Sequence, residues 1–262
     1  MGKLRFEYWM EIAYSEPVTE CHYTFKCLPR DTETQRIEEL NIEITPPHKH
    51  QQGEDSFGNL MIYDNLYCEH DRFGFWMYGV ARTGLAEGER VGADEFVGRY
   101  RYPYGLNRAG DGIRAYFAAN APDAGSPRER AVYLMHRLHR DFRYEKGVTN
   151  ISTTAEEAWR MGCGVCQDYA HILIALCHLA GIPARYVTGM MAGEGYSHAW
   201  VEILADGVWY GLDPTNDCPA GEHYIKIGIG RDAEDCLINK GMVTGGGIQT
   251  QNVVVRVEEA ER

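Results

Sequence analysis

The sequence predicts an α+β protein in which a small all-β region precedes a region of helices and antiparallel strands. Three observations point there: short, alternating, aromatic-rich segments before residue 91, helix-start signals at Ser126, at Thr154 and after Gly162, and an Asp206-Gly207 hairpin signal between two alternating runs. With 262 residues, 44% of them hydrophobic and 24% charged, the chain is long enough for one large domain or two ordinary ones with full cores. The expected division is a β-rich part with a connecting stretch, 1–115, and a second part, 116–262.

From Arg5 to about Val91, the segments LRFEYWMEIAY, CHYTFKCL, ELNIEITP, LMIYDNLYCEH and GFWMYGVART are separated by turn residues, the spacing of a small sandwich or barrel. Asp55 to Asn59 reads as a turn between strands. His48 and His50 sit among prolines and glutamines with no third ligand nearby, so they read as a solvated loop and not as a metal site. Between Gly92 and Ala124 the signals weaken, with short helices expected at Asp94 to Tyr100 and Ile113 to Ala119, and the domain boundary is expected here. Ser126-Pro127-Arg128-Glu129 is a capping box with proline at the first helical position. The helix it starts should run to Phe142, with Val132, Met135, Leu138, His139 and Phe142 facing inward. Thr154 with Glu157 is a second capping box, for a short helix ending at Met161.

The stretch from Gly162 to Pro183, GCGVCQDYAHILIALCHLAGIP, turns on glycine and then takes helical periodicity from Cys166 to Ala180, with Gly181 and Pro183 as stop signals. Cys166 therefore falls at a helix N-terminus, where the macrodipole favours a thiolate. Strands follow at about 185–191, 197–204, 208–213, 223–229 and 248–257. With Asp206-Gly207 as a two-residue loop, Asp213 comes opposite Trp200, and His198 is its diagonal neighbour on the same face. A carboxylate that orients an imidazole supplies the base a thiol nucleophile needs. Three other readings of the cysteines are weaker. Cys166 could be a small buried hydrophobe, as Cys177 reads. Cys163 and Cys166 also form a C-x-x-C, but a redox site expects a βαβ context where two helices stand. A zinc site would need two more ligands, and Cys218 and Cys236 lack a paired spacing.

At these residues the chain resembles the transglutaminase-like superfamily of papain-like enzymes in its bacterial two-part form. GVCQDYAH is similar to the family's nucleophile motif, SHAWVE to its histidine motif and LDPTN to its aspartate motif, and Gly230-Arg231-Asp232 matches a C-terminal GRD segment. The resemblance implies a papain-like core, with the cysteine helix packed on an antiparallel sheet, and catalytic roles for Cys166, His198 and Asp213. It implies acyl transfer through a thioester without choosing the acceptor; water, the default acceptor where no amine pocket is evident, gives a cysteine peptidase or amidase. The alternatives are an amine acceptor, as in a transglutaminase or other acyltransferase, and a catalytically silent binding module of the same fold. No cofactor or metal is expected, and with no EF-hand-type loop the sequence does not support calcium dependence of the kind seen in animal transglutaminases. The Cys166 N–H is the expected oxyanion donor, with Tyr144, Trp159 and Gln167 as candidates for a second.

A net charge of −12 and a pI near 5.3 argue against nucleic acid or an anionic membrane as partner; a peptide or protein substrate is what the resemblance implies. The N-terminal residues lack the apolar core of a signal peptide, no apolar run has the length of a membrane span, and the eight cysteines are scattered. A reducing cytoplasm is the expected setting.

Overall fold

Pro17 cannot donate to a sheet ladder, and the first strand changes partners around it. In the computed structural model, which describes residues 1–93, 95–193 and 195–260, β1 (Gly2–Leu28) is one strand where the sequence suggested two, LRFEYWMEIAY and CHYTFKCL. Its residues up to Ala13 pair antiparallel with β5 (His70–Thr83) on one side and β15 (Gln249–Glu259) on the other. Beyond a register break between Ala13 and Val18 it pairs with β4 (Leu60–Leu66) and β14 (Asn239–Gly245). β2 (Gln35–Thr45) flanks β5, and β3 (Gln51–Glu54) flanks β4. Alternation puts Phe6, Tyr8 and Met10, then Tyr23 and Phe25, on the buried face with Phe73, Phe75 and Met77. Phe25 stacks on Phe75 with ring centroids 4.2 Å apart. The turn at Asp55 to Asn59 forms as expected, with the Asp55 carboxylate accepting from the Phe57 and Asn59 N–H groups. His48 lies against Tyr23, its Nε2 2.5 Å from the Tyr23 hydroxyl.

β14 and β15 bear on the expected division of the chain. Both lie in residues 116–262, yet both join the sheet of the N-terminal part, so a cut at 115/116 does not follow the sheets. β14 had no signal in the sequence, because NKGMVTG does not alternate and none of its residues is buried.

Just before the connecting stretch β6 (Glu89–Arg90) pairs with a later strand, and within the stretch Val97–Tyr100 is a single 3₁₀ turn; Asp94, the expected helix start, lies outside the described residues. Four helices follow: α1 (Asp111–Asn120), α2 (Pro127–Asp141), α3 (Ala155–Met161) and α4 (Cys166–Leu179). Both capping boxes form, with the Glu129 carboxylate accepting from the Ser126 N–H at 2.8 Å and Glu157 from the Thr154 N–H at 2.8 Å. On α2 the buried stripe is Ala131, Leu134, Met135 and Leu138, continued by Phe142. His139 does not join it: one residue past Leu138 the helix has turned about 100° away from the core, and His139 is exposed, with Nδ1 3.1 Å from the Pro214 carbonyl.

A short parallel pair, β7 (Arg143–Tyr144) with β8 (Cys163–Gly164), leads into α4. The second sheet contains β9 (Ala184–Met191), β10 (Ser197–Ala205), β11 (Val208–Asp213), β12 (Cys218–Pro219) and β13 (Tyr224–Gly230), in the order β12-β11-β10-β9-β13, with β6 on β11. Ala199, Val201 and Ile203 share a core with the helices, while Met190, Ile225 and Ile227 share one with the N-terminal sheet. The second sheet is thus the middle layer of the molecule.

Candidate active site

Local backbone geometry fixes Cys166 at the start of α4. Gly162 ends α3 at φ +72°, a left-handed conformation that favours glycine. Gly164 leaves room for the Asp168 carboxyl, because a Cβ there would lie 2.4 Å from Asp168 Oδ2. Asp168 reaches back from the first turn to accept from the Val165 N–H at 2.7 Å and from the Thr149 hydroxyl at 2.7 Å. Burial pushes the Asp168 carboxyl up despite those bonds. Cys166 is half-buried at the first helical position, whereas Cys163 is buried and directs its sulfur at the Met161 carbonyl.

The hairpin register is the one the sequence implied, from Ala205 opposite Val208 to Val201 opposite Leu212. Asp206 and Gly207 form its loop at φ 51° and 78°. It brings His198 Nε2 to 2.7 Å from Asp213 Oδ2. His198 is buried and Asp213 is fully so. Asp213 Oδ1 accepts from the N–H groups of Thr215 and Asn216, and Oδ2 also accepts from the Asn216 amide and the Tyr224 hydroxyl, both at 2.8 Å. Burial raises the pKa of Asp213, but the hydrogen bond and charge of His198, helped by Asn216 and Tyr224, outweigh it and hold the group below its ordinary range. Burial likewise works against a charged His198. Hydrogen bonds and charge from Asp213 and Cys166 win, and the ring is pushed up to about 10.

Cys166 and His198 meet at a cleft of about 480 Å³, lined also by Tyr144, Lys146, Tyr196 and Asn216. The structure brings His198 beside Asp213 as the hairpin spacing implied, and places Cys166 with His198 at the cleft as the resemblance implied. Of the three candidate oxyanion groups only Tyr144 lines the cleft. Gln167 donates to the Ile151 carbonyl at 3.3 Å, and Trp159 packs against Tyr116 and Phe142 in the helical core. Tyr224 was missed, because its place beside Asp213 depends on β13 pairing with β9, which no local pattern shows. Lys146 and Tyr196 lie in connecting segments and gave no sequence signal.

A cysteine at a helix start, facing a histidine held by a carboxylate on an antiparallel sheet, defines a papain-like protein of the transglutaminase-like class. Residues 115–214 match the transglutaminase-like superfamily and residues 4–81 the bacterial transglutaminase-like N-terminal region; the chain belongs to this superfamily. The chain is similar to an uncharacterized protein of Mycobacterium leprae, 26% identical over 98% of this chain and 99% of that one. An uncharacterized protein of Mycobacterium tuberculosis is 27% identical over 92% of this chain and 87% of its own length. The fold matches the crystal structure of a Cytophaga hutchinsonii protein named Putative Cysteine Protease, with a TM-score of 0.82 and 21% identity over 100% of this chain and 91% of that chain.

Proposed function

We propose that the protein is a thiol acyl-transfer enzyme, a cysteine peptidase or amidase, with Cys166 as nucleophile, His198 as proton carrier and Asp213 as orienter. The observation that carries this reading is the His198 ring, bonded through Nε2 to Asp213 at 2.7 Å and interacting with the Cys166 thiol. Cys166 Sγ attacks the carbonyl carbon of an amide, forming a C–S bond. The oxyanion meets the Cys166 N–H, which at the first helical position has no intrahelical acceptor. His198 then gives its proton to the departing nitrogen as the C–N bond breaks, leaving an acyl-thioester.

The second half follows from the first. Once Cys166 is acylated, its charge no longer supports the imidazolium, so the His198 pKa falls and the neutral ring can take a proton from water. Water's oxygen bonds to the acyl carbon, the C–S bond breaks, and the thiol returns with a carboxylic acid released. Mass spectrometry of a mixed peptide library incubated with the protein, with and without added amines, tests the reading. Hydrolysed peptides lost in Cys166→Ala support it. Cross-linked peptides select an amine acceptor, and an unchanged library selects the binding module.

A further inference from the structure

The cleft at Cys166 departs from the charge of the whole chain. The protein carries a net charge of −12, yet the nine described residues lining the cleft include one lysine, Lys146, and no aspartate or glutamate. Lys146 Nζ lies 4.9 Å from the centroid of the Tyr196 ring, a cation–π contact that holds an exposed ammonium over the cleft. Among the described residues no carboxylate forms an ion pair with it. Its neighbour Arg143, by contrast, is paired to Glu145 at 3.1 Å. Among the described residues the carboxylates beside the thiol–imidazole pair are buried and already engaged: Asp213 by His198, Tyr224, Asn216 and two backbone N–H groups, and Asp168 by the Val165 N–H and the Thr149 hydroxyl. The N-terminal end of α4 opens on the same space at Val165 and Cys166 and adds a positive partial charge. A cation with no counter-ion among the described residues, held at the mouth of the cleft, complements an anion that arrives with the substrate.

We propose that Lys146, positioned over Tyr196, is a specificity-determining residue that selects acyl substrates bearing a carboxylate close to the scissile carbonyl. That carboxylate would come from an acidic side chain or from a peptide's C-terminus. The proposal rests on Cys166 being the nucleophile, and its test separates the two claims.

Iodoacetate and iodoacetamide alkylate a thiolate with the same loss of iodide, but only iodoacetate carries a carboxylate. Their relative rates at Cys166, read by mass spectrometry of the Cys166 peptide, report the carboxylate preference of the cleft without requiring turnover. Lys146→Ala should lower the iodoacetate-to-iodoacetamide ratio about threefold and Lys146→Glu about tenfold at low salt, with Lys146→Arg near wild type and all differences shrinking in 0.5 M salt. A ratio unchanged in Lys146→Glu overturns the proposal, whatever peptides the protein accepts. Two pairs of peptides, one with glutamate against lysine beside the scissile bond and one with a free against an amidated C-terminus there, then identify the source of the carboxylate. Turnover that ignores both differences also overturns the proposal while leaving the thiol enzyme standing. Failure of every peptide, together with a Lys146-dependent ratio, counts against hydrolysis and supports the carboxylate preference.

Discussion

The Tyr224 hydroxyl donates to the same Asp213 oxygen that accepts from His198, at 2.8 and 2.7 Å. With the Asn216 amide on that oxygen and two backbone N–H groups on the other, the buried carboxylate has five donors. Its orientation is fixed from three directions: its own loop, β10 and β13.

Tyr224→Phe removes one donor and leaves the packing against His198 and Trp200 intact. A hydrogen bond to a buried charged acceptor contributes about 1.5–3 kcal/mol, so urea denaturation should show a loss of that order. If the tyrosine positions Asp213, turnover should fall with little change in KM, a split that a purely structural role would not produce. Stability within about 0.5 kcal/mol of wild type would mean that water replaces the hydroxyl there.

His198 should remain protonated well above neutrality, since its pKa is held at about 10. Raised above the unfolded value of about 6.5, it contributes stability that is complete below that value and is lost as pH rises through the folded one. The stability difference between wild type and His198→Gln should therefore shrink steadily between about pH 6.5 and 10. In Cys166→Ala, which lacks one of the groups supporting the charge, an NMR titration should find the ring pKa lower than in wild type. An unchanged value would remove Cys166 from contact with the imidazole.

What the sequence made legible follows the range of each interaction. Capping boxes at Ser126 and Thr154, the glycine turn before Cys166 and the two-residue hairpin loop are all specified within a few residues, and all are present. The hairpin register alone was enough to put His198 beside Asp213. The strands at 224–230 and 249–259 were legible as strands, but the place of Tyr224, the strand β14 and the pairing of β14 and β15 with β1 were not, because each depends on contact between distant segments. β1 misled for a related reason: the residues around Pro17 look like a break between strands, but they stay extended while the neighbouring strands change.

Further along the β9–β10 pair, Arg185 is fully buried between Glu202, 2.6 Å away, and Glu95, 2.7 Å away, with Lys226 also pairing with Glu202 at 2.9 Å. The guanidinium lies 4.2 Å from the centroid of the Trp209 ring. Glu202→Leu would leave Arg185 with Glu95 alone and Lys226 with Glu89 alone, and as the loss of one partner from a buried ion-pair network should cost about 3 kcal/mol. Arg185→Met together with Glu202→Leu removes one charge of each sign and should cost less than the single change. A double variant no better than Glu202→Leu would show that the network is not coupled as its geometry implies.

The last expectation concerns the division of the chain. Residues 116–262 contain Cys166, His198 and Asp213, so the fragment has the residues of the site. It lacks the partner of its own C-terminal end, however, since β14 and β15 hydrogen-bond to β1. It would also expose Met190, Ile225 and Ile227, each at most 3% accessible in the whole chain because the N-terminal sheet covers them. Uncovering these apolar side chains costs about 1.5–3 kcal/mol each, a large part of the 5–15 kcal/mol by which domains are ordinarily stable. The fragment should therefore show no cooperative urea transition and should lose amide protection in β9 and β13 before α4. Adding residues 1–90 as a separate chain should restore protection in β13 and β15 together, because both are completed by the N-terminal sheet. A cooperatively folded 116–262 fragment with protected β13 amides would show instead that the middle sheet is stable when covered on one face only.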